Sequence, residues 1–143
     1  MPLDLFSKTS LPDVLPDDLQ KVILELKKSR DQKECLEKVY ALLTAKYHGE
    51  RLKTYTKLFQ LFRKDIFWLW NRIGYLHCTN INYVARILLV KSGFFEESDI
   101  CLKWTLVWYV SPHQYLEVEV GDQWIVVDIW ANAFGIEFGD YAH

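Results

Sequence analysis

The spacing of apolar residues predicts that the first half of the chain is helical. Apolar positions recur with helical periodicity over 15–30, which predicts a first helix. Asp31 and Glu34 have the spacing of a capping box, and the apolar residues behind them predict a second helix that ends before Gly49. A third helix is predicted over 51–63, with its apolar residues directed inward: Leu52, Tyr55, Leu58, Phe59 and Phe62.

Two more helical segments precede a change in pattern. The bulky stretch "DIFWLWNRIG" (65–74) is interpreted as helical, and apolar residues from Ile81 onward predict another helix that Gly93 ends. Beyond that glycine, residues 103–110, 113–120 and 124–130 are rich in β-branched and aromatic side chains, which favours strands. Helices followed by an antiparallel sheet predict an α+β fold.

The last two predicted strands form a hairpin around Gly121-Asp122. If Val120 pairs with Gln123, one face is wholly apolar, and the other carries His113, Tyr115, Glu117, Trp124, Val126, Asp128 and Trp130. In this register Tyr115 lies opposite Asp128, and His113 is the diagonal neighbour of Asp128, roughly 7–8 Å away between backbones. A carboxylate among apolar residues needs a partner, and His113 is the nearest candidate.

Length and composition favour one domain over 1–143. It comprises an arm (1–14), a helical part (15–70) and a part with a cysteine-bearing helix and the sheet (71–143). The net charge is −2 and the basic residues are dispersed, so no nucleic-acid partner is expected. No signal peptide or membrane span is predicted, and three cysteines without a CxxC motif fit a reducing compartment. We therefore expect a cytoplasmic protein that does not engage a membrane.

The hexamer "YLHCTN" (75–80) places Cys78 at the predicted start of a helix. A lone cysteine is most often a buried filler, but helix N–H groups and the helix dipole favour a thiolate at this position. Cys78, His113 and Asp128 then supply a nucleophile, a base and an orienting carboxylate. Zinc binding by His77, Cys78, His113 and Asp128 is disfavoured by the spacing, and no metal or other cofactor is predicted.

Further residues are candidates for the surroundings of Cys78. Aromatic residues and His77 near the three candidates predict a substrate pocket, with core packing as the alternative: Tyr75, His77, Tyr115, Trp124 and Trp130. An oxyanion would need a donor besides the Cys78 backbone N–H. The upstream candidates are Trp68, Trp70, Asn71 and His77.

The segment from Gly74 to Cys78, His113 with "EVEV", and Trp124 with Asp128 resemble the transglutaminase-like cysteine-enzyme superfamily. The resemblance covers about 70–130. Gln114-Tyr115 replaces the family's Ala-Trp, and Gly74 stands four residues before Cys78 rather than two.

The resemblance implies a papain-like core in which a helix bearing the nucleophile packs on the antiparallel sheet. It also implies a cysteine-dependent amide hydrolase or acyltransferase of protease, deamidase or transamidase type, which acts through an acyl-thioester. Its substrate would be a peptide, a protein or a small amide. In this scheme Cys78 is the nucleophile, His113 the base and acid, and Asp128 the orienting carboxylate. The alternative is a catalytically inactive binding module with the same fold; the oligomeric state stays open.

Overall fold

The computed structural model describes residues 4, 5 and 7–143, so the prediction of an arm lies partly outside the described residues. The described residues form five α-helices: α1 Asp17–Leu26, α2 Gln32–Lys46, α3 Arg51–Thr56, α4 Ile66–Asn71 and α5 Cys78–Lys91. They form five strands: β1 Tyr47–His48, β2 Gly74–Tyr75, β3 Ile100–Val107, β4 Ser111–Val120 and β5 Gln123–Val127. Three short 3-10 helices are added: Leu58–Phe62, Glu97–Asp99 and Trp130–Phe134.

The second helix begins at the predicted cap. The Asp31 carboxylate accepts a hydrogen bond from the Glu34 N–H at 2.8 Å, which satisfies one of the free N–H groups of the first turn. The Glu34 side chain reaches back to the N–H of Arg30 at 3.2 Å, one residue further than in an ordinary capping box. α1 ends at Leu26, four residues before the predicted end.

The predicted inward face of the third helix is wrong. The segment divides into α3 and the 3-10 helix Leu58–Phe62, and its large apolar side chains are exposed. Its contacts with the core come from the polar side chains of Thr54 and Gln60 and from the backbone. The carbonyl of Lys57 accepts a hydrogen bond from His77 Nε2 at 2.8 Å, and the carbonyl of Arg63 accepts one from Asn80 Nδ2 at 3.0 Å. These two bonds attach the segment to the start of α5, while its large apolar side chains are exposed.

The antiparallel sheet has the order β3-β4-β5, and the predicted hairpin register is confirmed. Val120 pairs with Gln123, and Leu116 pairs with Val127. β5 ends at Val127, however, so Asp128 lies just beyond the strand and is not paired with Tyr115. The chain turns there into the 3-10 helix that begins at Trp130. The strand predicted over 124–130 is therefore three residues too long at its end.

The β3–β4 turn has an unusual backbone. Trp108 and Tyr109 have φ values of 54° and 65°, in the left-handed region that Gly and Asn adopt most readily. Such a conformation costs about 1–2 kcal/mol for a residue with a side chain. The N–H of Val110 closes the turn on the carbonyl of Val107 at 3.4 Å.

α5 is the central helix of the fold, and every residue from 79 to 89 is buried. It contacts α2 on one side and β4 on the other, in an α+β arrangement with the antiparallel sheet at the C-terminal end. Within the described residues, no helix has both the length and the apolar character needed to span a bilayer.

A buried arginine on α5 fastens the described part of the N-terminal arm. Arg86 is fully buried, and its Nη1 donates to the carboxylate of Asp4 at 2.7 Å. Its Nη2 donates to the carbonyl of Thr9 and to the carboxylate of Glu97, both at 2.8 Å. These partners compensate the burial of the guanidinium charge, which would otherwise be unfavourable.

Candidate functional site

Cys78 is the first residue of α5 and is partly exposed. The first N–H groups of a helix have no acceptor within the helix, so positive potential surrounds the thiol. The backbone N–H of Gln114 points at the sulfur from β4, with a nitrogen–sulfur distance of 3.4 Å. Both features place positive potential next to Cys78 Sγ.

His113 and Asp128 form a buried pair beside that cysteine. His113 Nε2 lies 2.7 Å from Asp128 Oδ2, and the two residues are 3% and 1% exposed. Asp128 also accepts hydrogen bonds from the backbone N–H groups of Ala131 at 3.2 Å and Ala142 at 3.0 Å. With three donors, this carboxylate is held in one orientation after the end of β5.

The surroundings of His113 favour its charged form. Burial by itself lowers the pKa of an imidazole, but here the hydrogen bonds with Asp128 and Cys78 and their charges outweigh it. They raise the pKa of His113 to about 10, which makes the ring cationic at neutral pH. The cationic ring thus lies between the Asp128 carboxylate and the Cys78 sulfur.

An amide clamp connects α5 with β4 next to these residues. Asn82 lies one helical turn after Cys78, and its Nδ2 donates to both the backbone carbonyl and the side-chain Oε1 of Gln114, each at 3.1 Å. Gln114 follows His113 directly and contacts Cys78 through its N–H. The clamp thus holds the strand that carries the imidazole against the helix that carries the thiol.

His77 has a structural environment that uses both ring nitrogens. Its Nε2 lies 2.8 Å from the carbonyl of Lys57 and its Nδ1 lies 3.0 Å from the hydroxyl of Tyr75. Because a carbonyl only accepts, Nε2 carries the proton and Nδ1 accepts from Tyr75. Burial lowers the pKa of His77, which agrees with this neutral form. His77 fastens the segment after α3 to the start of α5.

A small cavity of about 20 Å³ opens beside Cys78. Its walls are mainly apolar and contain two of the five predicted pocket residues, His77 and Trp130. The lining is Thr54, His77, Cys78, Val107, Trp108, Ser111, Pro112, His113 and Trp130.

The other three predicted pocket residues lie outside this lining. Tyr75 stands behind His77, to which it is hydrogen-bonded. Tyr115 stacks on Tyr141 with ring centroids 4.2 Å apart, and Trp124 is 45% exposed on β5.

Trp130 lines the cavity and has an indole N–H without a hydrogen-bond partner among the described residues. Its indole Nε1 is buried, and its ring centroid lies 5.0 Å from that of His113. Gly49 makes this position possible, because a Cβ there would lie 2.3 Å from the Trp130 ring. The predicted role of Gly49 as a helix stop is thus secondary, since α2 already ends at Lys46.

The oxyanion candidates predicted upstream of Cys78 occupy other places. Trp68 has the guanidinium groups of Arg63 and Arg72 each 5.0 Å from its ring centroid. Trp70 is buried beneath Lys46, and Asn71 is exposed. His77 uses both nitrogens, as described above.

The site also contains three residues that the sequence patterns do not single out as functional: Asn82, Gln114 and Thr54. Gln114 had a detectable signal, because it is a polar residue on the otherwise apolar face of β4 that carries Leu116 and Val118. Thr54 lay inside an apparently ordinary amphipathic helix and had none.

Among the described residues, no three His, Cys, Asp or Glu side chains are grouped so that they could hold a metal ion. The other cysteines lie elsewhere: Cys35 is buried beside Ser92, and Cys101 is partly buried on β3. Comparison of the chain with protein-family models, curated proteins and solved structures gives no match.

Proposed function

We propose that the protein is a cysteine-dependent amide hydrolase or acyltransferase with a transglutaminase-like, papain-like core. Cys78 is the nucleophile, His113 the proton carrier and Asp128 the orienting carboxylate. The observation that carries the proposal is the 2.7 Å contact between His113 Nε2 and Asp128 Oδ2, buried beside a partly exposed cysteine at a helix start.

The first half-reaction forms an acyl-enzyme. The thiolate of Cys78 attacks the carbonyl carbon of an amide or thioester, a carbon–sulfur bond forms and the carbonyl oxygen gains negative charge. The bond to the leaving group then breaks as His113 donates its proton to the departing nitrogen or sulfur. Asp128 keeps the imidazole oriented throughout, because its other hydrogen bonds come from fixed backbone N–H groups.

The second half-reaction restores the enzyme. Water or an amine attacks the thioester carbonyl, His113 accepts the proton of the attacking group, and the carbon–sulfur bond breaks to release Cys78. In both halves the backbone N–H of Cys78 is one donor for the oxyanion, and the indole N–H of Trp130 is the second in this scheme.

The proposal is tested by site-resolved alkylation. Folded protein is treated with limiting iodoacetamide at neutral pH, and the modification rate of each cysteine is measured by peptide mass spectrometry. Cys78 should react at least about tenfold faster than Cys101, which is also partly exposed but lies far from an imidazole. His113→Gln should remove most of that difference.

Equal rates at Cys78 and Cys101 would contradict the proposed nucleophile. The inactive binding module predicts a different outcome: Cys78→Ala retains ligand binding, and the wild-type protein forms no thioester with activated acyl donors.

A further inference from the structure

An apolar surface with two halves borders the cavity beside Cys78, and its first half comes from α3 and the following 3-10 helix. Five large apolar side chains there are between 51% and 74% exposed: Leu52, Tyr55, Leu58, Phe59 and Phe62. A set of this size, close together in a short segment, is typical of a site that another molecule covers.

The second half comes from the β3–β4 turn. Leu106, Tyr109 and Val110 are 56%, 94% and 76% exposed. Trp108 and Tyr109 adopt left-handed backbone angles that a turn with Asn and Gly would accept without strain. Asn and Gly would therefore make this turn more stable than the residues that are present. The exposed aromatic and aliphatic side chains of the turn do not help it to fold.

The two halves meet at the cavity. The guanidinium of Arg51 lies 4.2 Å from the ring centroid of Trp108, which joins α3 to the turn. Thr54 from α3 and Trp108 from the turn both line the cavity that contains Cys78. We call the combined area the rim surface; its residues are Leu52, Tyr55, Leu58, Phe59, Phe62, Leu106, Tyr109 and Val110.

The charge around the rim surface is opposite to that of the whole chain. Residues 50–72 contain six basic and two acidic residues, a net charge of +4, whereas the protein carries −2. The turn segment 104–112 contains no charged residue. An occupant complementary to this area is apolar and acidic.

We propose that the rim surface docks an acidic, apolar segment of a substrate polypeptide and delivers one of its amide groups to Cys78. The delivery step rests on the proposed function, whereas the docking does not. The cavity of about 20 Å³ admits little more than the reacting group, so binding energy must come from contacts outside it. A polypeptide segment is long enough to contact both halves of the rim surface while it crosses the opening, whereas a small amide contacts only the cavity.

The test uses fluorescence anisotropy with Cys78→Ser protein and three labelled synthetic peptides of equal length. Each peptide repeats Leu and Phe around one Gln, with Glu, Lys or Ser at the remaining positions. The Glu peptide should bind most tightly. Phe59→Ser and Tyr109→Ser should each weaken its binding at least about fivefold, because aromatic contacts dominate such interfaces. Leu24→Ser is the matched control, since Leu24 is 59% exposed on α1 and lies outside the rim surface. This variant should bind the Glu peptide as tightly as the protein with an unchanged rim surface.

A second measurement separates this proposal from the proposed function. Phe59→Ser and Tyr109→Ser in the wild-type background should leave the iodoacetamide rate of Cys78 unchanged, because that small reagent does not need docking. Slow alkylation in every protein together with intact peptide binding would refute the nucleophile and leave the docking surface standing.

Three outcomes would overturn the docking proposal. The first is that the Lys peptide binds as tightly as the Glu peptide, and the second is that the rim variants bind the Glu peptide as tightly as Leu24→Ser does. The third is that no peptide binds, while the wild-type protein either dimerises in size-exclusion chromatography or sediments with phosphatidylglycerol vesicles and the rim variants do not. The rim surface would then bind a second copy of the chain or a lipid surface instead of a polypeptide segment.

Discussion

Asn82 and Gln114 connect the helix that begins at Cys78 with the strand that carries His113. Asn82 Nδ2 donates to the carbonyl and to the side-chain oxygen of Gln114, both at 3.1 Å, and both residues are about 1% exposed. The N–H of Gln114 in turn lies 3.4 Å from Cys78 Sγ. The position of the thiol relative to the imidazole therefore depends on the hydrogen bonds between the side chain of Asn82 and Gln114.

Asn82→Ala should slow the alkylation of Cys78 and lower the free energy of unfolding by about 1–3 kcal/mol, because two buried oxygens of Gln114 lose their donor. Mass-spectrometric alkylation rates and urea denaturation measure the two effects. Asn80→Ala is the matched control: Asn80 is fully buried on the same helix but donates to Arg63 rather than to β4. If both variants slow alkylation equally, the clamp has no specific role in positioning Cys78.

Trp130→Phe should distinguish a donor from a packing residue. The phenyl ring keeps the contact with His113 but removes the indole N–H, which is the second oxyanion donor in the proposed mechanism. Acylation of Cys78 by p-nitrophenyl acetate should fall about tenfold or more, since it forms an oxyanion. Alkylation by iodoacetamide forms no oxyanion, so its rate at Cys78 should be unchanged. Equal losses in the two reactions would assign Trp130 to packing alone.

The titration of His113 should contribute a decrease in the free energy of unfolding between pH 6.5 and about 10. Its pKa is raised from 6.5 to about 10 in the folded protein, so the folded state binds a proton that the unfolded state has released over this range. The stabilisation is complete below pH 6.5 and is lost as the pH rises through about 10. Urea denaturation at a series of pH values measures this slope.

His113→Gln is the control for the pH dependence, since it removes the titrating ring. The variant should show a smaller decrease over the same range. A wild-type protein whose stability rises from pH 7 to 9 more steeply than that of the variant would contradict the direction of the pKa shift.

Arg86→Leu should destabilise the protein by about 3–5 kcal/mol, because it leaves the buried carboxylate of Asp4 without its cation. Arg86→Leu combined with Asp4→Leu should recover part of the loss, since no buried charge then remains unpaired. Thermal denaturation measures both. Lys28→Met breaks the exposed pair with Glu25 and should leave the melting temperature unchanged. A double variant less stable than Arg86→Leu would show that the charge of Asp4 is not the source of the loss.

Local patterns were sufficient for several parts of the fold. The α+β order of elements, the cap at Asp31 and the pairing of Val120 with Gln123 follow from residues close together in sequence. Helix periodicity, strand alternation and turn residues act over a few positions, so they can be read without the rest of the chain. The pairing of His113 with Asp128 was also predictable, because hairpin register and the need of a buried carboxylate for a partner point to the same residue.

The remaining features depend on contacts between distant segments. Periodicity marked one side of 51–63 as apolar, but an apolar side has the same pattern whether it faces the core or another molecule. In the structure this side is exposed, and the segment is attached to α5 and the residue before it through the backbone carbonyls of Lys57 and Arg63. The clamp at Gln114 and the unpaired indole of Trp130 likewise exist only where a helix, a strand and a turn meet. Sequence patterns over a few residues do not specify these tertiary contacts, because the contacts depend on how all the buried surfaces of the chain pack together.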